Sequence, residues 1–154
     1  MMWRWVESRR AFVGLAMAAA VSGCGGMTPD GAAEDMAKEA YRHLAHKEDA
    51  ALEAMLIPAA RKTADADIYN SLRMLIPPGE PASVKRTNWQ AYTGTGGRRM
   101  TYQHAYDYGA RVVVATTVLV SPPGAGPWKI QAFNINVTAG QTPPPAVVAG
   151  KTST

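Results

Sequence analysis

From residue 99 to residue 108 the chain alternates without a break. Met100, Tyr102, His104, Tyr106 and Tyr108 fall on one side, and Thr101, Gln103, Ala105 and Asp107 on the other. A period of two sends successive side chains to opposite faces of a pleated strand, which no helix does. The run therefore specifies a strand with one aromatic face, half buried in a sheet. Directly after it, residues 111–120 are almost entirely Val, Thr, Ala and Leu, the composition of a strand at the centre of a sheet. A less regular run over 83–93, the turn Gly94-Thr95-Gly96-Gly97, a Pro/Gly loop over 121–127 and a last run over 128–137 complete the pattern. Four strands joined by short connections favour an antiparallel meander.

Upstream the period changes to that of helices. Thr28 or Asp30 is placed to cap a first helix, with Pro29 tolerated at its start and Ala33, Ala37, Ala40, Tyr41 and Leu44 forming its apolar stripe. Asp49 is placed to cap a second helix over 50–57, with Leu52, Met55 and Leu56 turned inward and Pro58 ending or kinking it. Asp65 or Asp67 opens a third helix carrying Ile68, Leu72 and Leu75, stopped by Pro77-Pro78-Gly79. Helices first and strands afterwards predict an α+β fold, three N-terminal helices packed on one face of a four-stranded antiparallel sheet. The eight methionines, several at helical core spacing, read as core filler.

The first residues are of a different kind. Arg4, Arg9 and Arg10, offset only by Glu7, precede an apolar stretch from Ala11 to Ala20. At about ten residues that stretch is half the roughly 20 that a bilayer-spanning helix needs, and the order of segments is that of an export signal. Val21-Ser22-Gly23-Cys24 follows, and Cys24 is the one cysteine of the chain. These four residues resemble a bacterial lipobox, which implies a diacylglycerol on the Cys24 sulfur, cleavage before Cys24 and acylation of the new amino group. The small side chains at 22 and 23 admit a peptidase, and a thiolate is the nucleophile that takes up lipid. Ser8-Arg9-Arg10-Ala11-Phe12-Val13 is similar to the twin-arginine export motif, with Gly14 where a Lys is usual; this resemblance implies that Arg9 and Arg10 are read by the export machinery and that the domain crosses already folded.

Residues 1–23 are thus expected to be a signal peptide, 24–30 a short tether, 31–138 the folded domain and 139–154 a Pro/Ala-rich disordered tail around Pro143-Pro144-Pro145. The tether reaches about 20 Å at most, so the domain sits close to its membrane, the cell membrane or the outer membrane. The formal charge of the whole chain is +4, and removing residues 1–23 leaves about +2, no electrostatic footprint for nucleic acid. With Cys24 lipidated no thiol remains for a disulfide, and the domain relies on its core in an oxidising compartment.

Three helices followed by an antiparallel sheet ending in Gly126-Pro127-Trp128-Lys129-Ile130-Gln131-Ala132-Phe133 resemble the nuclear-transport-factor-2-like superfamily of α+β cones, many of whose members end in a "Gly-x-Trp-x-Ile" strand. The resemblance covers about residues 31–138 and implies a curved sheet enclosing a pocket. It departs from larger members in lacking a strand between the second and third helices and in having four strands.

Chemistry is sparse. His104 among tyrosines suggests a general acid/base assisted by Tyr102 or Tyr106, set against an amphipathic aromatic strip, half buried between sheet and helices or on an exposed sheet face. Asp107, the nearest strand carboxylate, points to the opposite face. Acid isomerases within the resembled superfamily use a carboxylate base inside the cone. Glu39, His43 and His46 share the outer side of the first helix at spacings that a zinc ion would accept, but that side reads as a solvated polar face without a fourth ligand. Ser71, Ser83 and Ser121 lack a nucleophile elbow, and the glycines at 94, 96 and 97 lie in a hairpin, not in a phosphate loop. The expected function is a membrane-anchored, non-enzymatic envelope lipoprotein that binds a small ligand or an envelope protein, with no cofactor, metal or nucleic acid. The alternative is a small isomerase- or dehydratase-like pocket enzyme using His104 with a neighbouring tyrosine.

Overall fold

The computed structural model describes residues 28–124 and 126–140; the export signal with Arg9 and Arg10, the lipidation site Cys24 and the tail beyond residue 140 lie outside the described residues. Four helices, α1 (Gly31–Ala45), α2 (Asp49–Met55), α3 (Pro58–Thr63) and α4 (Ala66–Arg73), precede four strands, β1 (Ser83–Gly94), β2 (Gly97–Asp107), β3 (Arg111–Ser121) and β4 (Lys129–Ala139). The strands form one antiparallel sheet in the order β1-β2-β3-β4. The chain is an α+β protein with a meander sheet, and each strand lies within two residues of its expected position. β4 runs through Ala139, one residue into the segment expected to be tail.

α1 starts where its cap dictates: Asp30 Oδ1 accepts the Ala33 amide at 3.1 Å, satisfying one of the free N–H groups at the helix start. All five residues of its apolar stripe are buried, and the helix packs on β2 and β3. On the sheet, Met100, Tyr102, His104 and Tyr106 of β2 and Val113, Ala115, Thr117 and Leu119 of β3 form the buried face beneath it.

Three expectations about the helices are corrected. There are four, not three, because Pro58 opens α3 instead of ending α2. At the first position of a helix its missing N–H costs nothing and its fixed φ suits the turn. The break between α2 and α3 lets Leu56 bridge to Ile130 and the Ile57 amide donate to the Ile130 carbonyl at 2.9 Å, stitching the helical layer to edge strand β4. Asp49 does not cap α2; it lies in the first turn and pairs with Arg73, whose Nε donates to the Leu44 carbonyl at 2.9 Å. That arginine ties α1, α2 and α4 together at one end of the molecule. In α4, capped by Asp65 as expected, Ile68 is exposed and Tyr69 takes the core position, while Leu75, also exposed, lies beyond the end of the helix at Arg73. The helix has two turns only, so one inward line exists, and the larger aromatic side chain with Leu72 occupies it.

The β1–β2 turn requires glycine at one position. Gly97 has φ +117°, and a Cβ there would stand 2.2 Å from the Ser121 carbonyl oxygen.

Candidate functional site

The aromatic face of β2 meets α1 residue by residue. Two strand residues advance about 6.8 Å and one helical turn about 5.4 Å, so successive inward residues of the strand reach successive turns of the helix. The Tyr102 hydroxyl donates to the Asp30 carbonyl at 2.8 Å. One step on, His104 Nε2 lies 3.2 Å from Glu34 Oε1. At the far end Tyr106 stacks on Tyr41, ring centroids 3.6 Å apart, and the Tyr41 and Tyr108 hydroxyls are 3.0 Å apart. Tyr41 reaches its partner because helical side chains lean toward the helix N-terminus.

His104 is sealed. Its exposure is 1%, with Tyr102 and Tyr106 on either side and α1 above. Burial holds its pKa below the ordinary histidine value, opposed by Glu34. The neutral ring must donate from Nε2, since the carboxylate only accepts. Glu34 receives Lys38 at 3.3 Å and Arg86 as well. Burial raises the Glu34 pKa, but the hydrogen bonds from His104 and Lys38 and the charges of Lys38 and Arg86 outweigh it, and the net shift is downward. Glu34 was not singled out in the sequence. The signal was there: it adjoins Ala33 in the stripe and so stands at the edge of the inward face.

The other sequence candidates separate. Asp107 Oδ1 accepts the Gly109 amide at 2.7 Å and closes the β2–β3 turn. Glu39 and His43 approach to 3.7 Å, but Glu39 is held by Arg42 and His43 pairs with Glu48, while His46 turns away to Glu80 at 3.3 Å. The polar face expected of this side of α1 is an ion-pair network, and its three residues do not converge.

Tyr106 has a second side. Beyond His104 the helix and sheet part, and Tyr41, Tyr106 and Tyr108 form the floor of an open cleft of about 550 Å³. Its walls are the 76–81 segment with Pro77, Pro78 and Pro81, and its rim carries Arg42, His46, Lys47 and Glu80. The volume is that of a small-molecule site. The Tyr106 hydroxyl is buried with no hydrogen-bond partner among the described residues. In the Tyr41–Tyr108 pair one hydroxyl donates to the other, which leaves the second proton free. Burial raises the pKa of Tyr41, Tyr106 and Tyr108 alike, Tyr41 further through its bond to Tyr108, so all three stay protonated donors at neutral pH. The sequence had Tyr106 as a helper to His104. Tyr41, Tyr108 and the proline wall were missed as a site because they come together only when α1 crosses the end of β2.

No family model, curated protein or solved structure matches this chain.

Proposed function

We propose that the protein is a membrane-anchored envelope lipoprotein whose domain binds a small ligand without transforming it. The observation that carries the binding part is the contrast between His104 and Tyr106. The one histidine of the aromatic row is sealed beneath α1 and committed to Glu34, whereas Tyr106 and the half-buried Tyr108, the next two residues on that face, line an open cleft. A general acid or base must reach the proton it moves, and His104 has no such access, which weighs against the isomerase or dehydratase reading. The Tyr41–Tyr108 pair keeps one uncommitted O–H donor between aromatic and proline surfaces. It suits a small, largely apolar molecule carrying an acceptor oxygen, a carbonyl or carboxylate.

The anchoring part rests on the lipobox-like Val21-Ser22-Gly23-Cys24 and the twin-arginine-like stretch around Arg9 and Arg10. No described helix is long and apolar enough to cross a membrane. The cone-like fold of the nuclear-transport-factor-2-like superfamily belongs to the same proposal. It is supported by the order of elements and by two register shifts, at Arg86/Asn88 and Val118/Leu119, where added twist would curl the sheet around α1.

A panel of small aromatic ketones and carboxylates, followed by the NMR signals of the protein, tests the cleft. Hits are expected to move the ring signals of Tyr41, Tyr106 and Tyr108, and Tyr108→Phe should weaken them about two- to tenfold, the worth of one hydrogen bond. Hits that leave these rings unmoved, or bind Tyr108→Phe equally well, would contradict the proposal.

A further inference from the structure

We infer that the end of the domain opposite the cleft, the turn of the β1–β2 hairpin with Tyr92 and Arg99, rests on an anionic lipid surface. This rests on the reading of Cys24 as the lipid anchor. Four residue steps separate Cys24 from Thr28, the first described residue, so the Thr28 Cα stands at most about 14 Å from the Cα of the anchored cysteine. Thr28 is fixed to one end of the molecule. With Asp30 it lines a recess shared with Tyr92, Arg98 and Trp128. Asp30 is held there by the Tyr102 hydroxyl at 2.8 Å and by Arg98 at 3.6 Å, which leaves the domain little freedom to turn that end away.

The surface at this end has the chemistry of a membrane contact. Tyr92 is 67% exposed and stands directly across from Arg99 in the sheet. Its ring leans toward the turn: a Cβ on Gly94 would lie 2.8 Å from the Tyr92 hydroxyl oxygen. Residues 90–100 and 119–130, the strand ends and connections of this end, contain no Asp or Glu but include Arg99, Arg98, which pairs with Asp30, and Lys129, whose Nζ also donates to the Ala54 carbonyl at 2.8 Å. The one acid of the adjoining segment 28–30 is Asp30, already paired with Arg98. Tyrosine is favoured at the level of lipid headgroups, and each basic residue close to an anionic leaflet strengthens contact about fivefold. The acids Glu39, Glu48 and Glu80 lie at the other end, around the C-terminal end of α1 and the cleft. Docked in this way, the domain lifts the cleft away from the bilayer by the length of α1, about 22 Å.

The test uses the mature lipidated protein in vesicles of phosphatidylcholine alone or with 30% phosphatidylglycerol (about one lipid in three carrying charge). With Cys24 acylated, a cysteine introduced by Thr95→Cys in the hairpin turn is the one thiol free for a spin label. Met74→Cys, 78% exposed beside the C-terminal end of α1, serves as the distant control. The label at 95 should become more accessible to oxygen and less to an aqueous nickel complex in the anionic vesicles, the label at 74 should stay aqueous in both, and Arg99→Glu should return the label at 95 toward water. Equal aqueous exposure of both labels on protein that remains bound would overturn the docking and leave the anchor standing. Lipid contact at 95 that ignores phosphatidylglycerol and Arg99→Glu would overturn the anionic surface as its partner. Protein recovered from the aqueous phase with a free Cys24 thiol would overturn anchor and docking together.

Discussion

The two ends of α1 solve the same packing problem differently. At its N-terminal end the polar groups gather on Asp30, which caps the helix, accepts Tyr102 at its carbonyl and meets with its carboxylate Arg98, whose Nε is left without a partner among the described residues and whose guanidinium lies 4.6 Å from the centre of the buried Trp128 ring. At the C-terminal end the stacked Tyr41 and Tyr106 fill space equally well, but a buried hydroxyl is left without a partner among the described residues, and a cleft opens beside it. Buried polar groups in folded proteins are nearly all paired, and an exception asks for a role. One end is built to hold the domain's entry point, and the other opens a cleft.

Trp128→Ala should produce the largest effect. It empties a buried indole site and removes the surface Arg98 packs on, and a loss of about 3–5 kcal/mol is expected in urea unfolding. A loss below about 1 kcal/mol would mean that the tether end is not the rigid one.

The middle of the row sets the pH response. A histidine whose pKa is lowered on folding binds fewer protons than in the unfolded chain, so its share of stability is complete above the ordinary value of 6.5 and declines as pH falls below it. Glu34, also lowered, adds a second loss as pH falls from its ordinary 4.5 toward its folded value. Stability should therefore decline below about pH 6.5 and fall further in the acid range. Glu34→Gln should cost about 1–3 kcal/mol at pH 7 and remove the carboxylate part of the acid loss. An unchanged acid limb in that variant would show that Glu34 does not carry it.

The finest contrast is between two tyrosines on one strand. Tyr102→Phe removes a made hydrogen bond and should cost about 1 kcal/mol. Tyr106→Phe removes an unmade one and should leave stability within about 0.5 kcal/mol or raise it. Equal losses in the two variants would erase the difference between the ends.

The sheet was legible because a period of two is imposed residue by residue. The alternation from Met100 to Tyr108 and the valine-rich run after it determine strand positions locally, and Asp30 and Asp65 announce their helices through caps that act within one turn. Pro58 misled because proline stops one helix and starts another by the same chemistry, and the choice was made by the distant Ile130, which takes Leu56 out of the helix. The candidate site was legible only in part. Tyr102, His104 and Tyr106 share a face by periodicity, but which of them is sealed and which opens on a cleft depends on the angle at which α1 crosses the sheet. The partners Glu34, Tyr41 and Tyr108 follow from that crossing too.

The account turns on where the domain is held. The most direct measurement expresses the full chain and its Cys24→Ala variant in a bacterium, separates membrane from soluble material, and weighs the mature N-terminus by mass spectrometry. The account predicts wild-type protein in the membrane fraction, beginning at Cys24 and carrying a diacylglycerol, and loss of membrane association in the variant. Equal membrane recovery of both chains, or a wild-type N-terminus with a free Cys24 thiol, would contradict it.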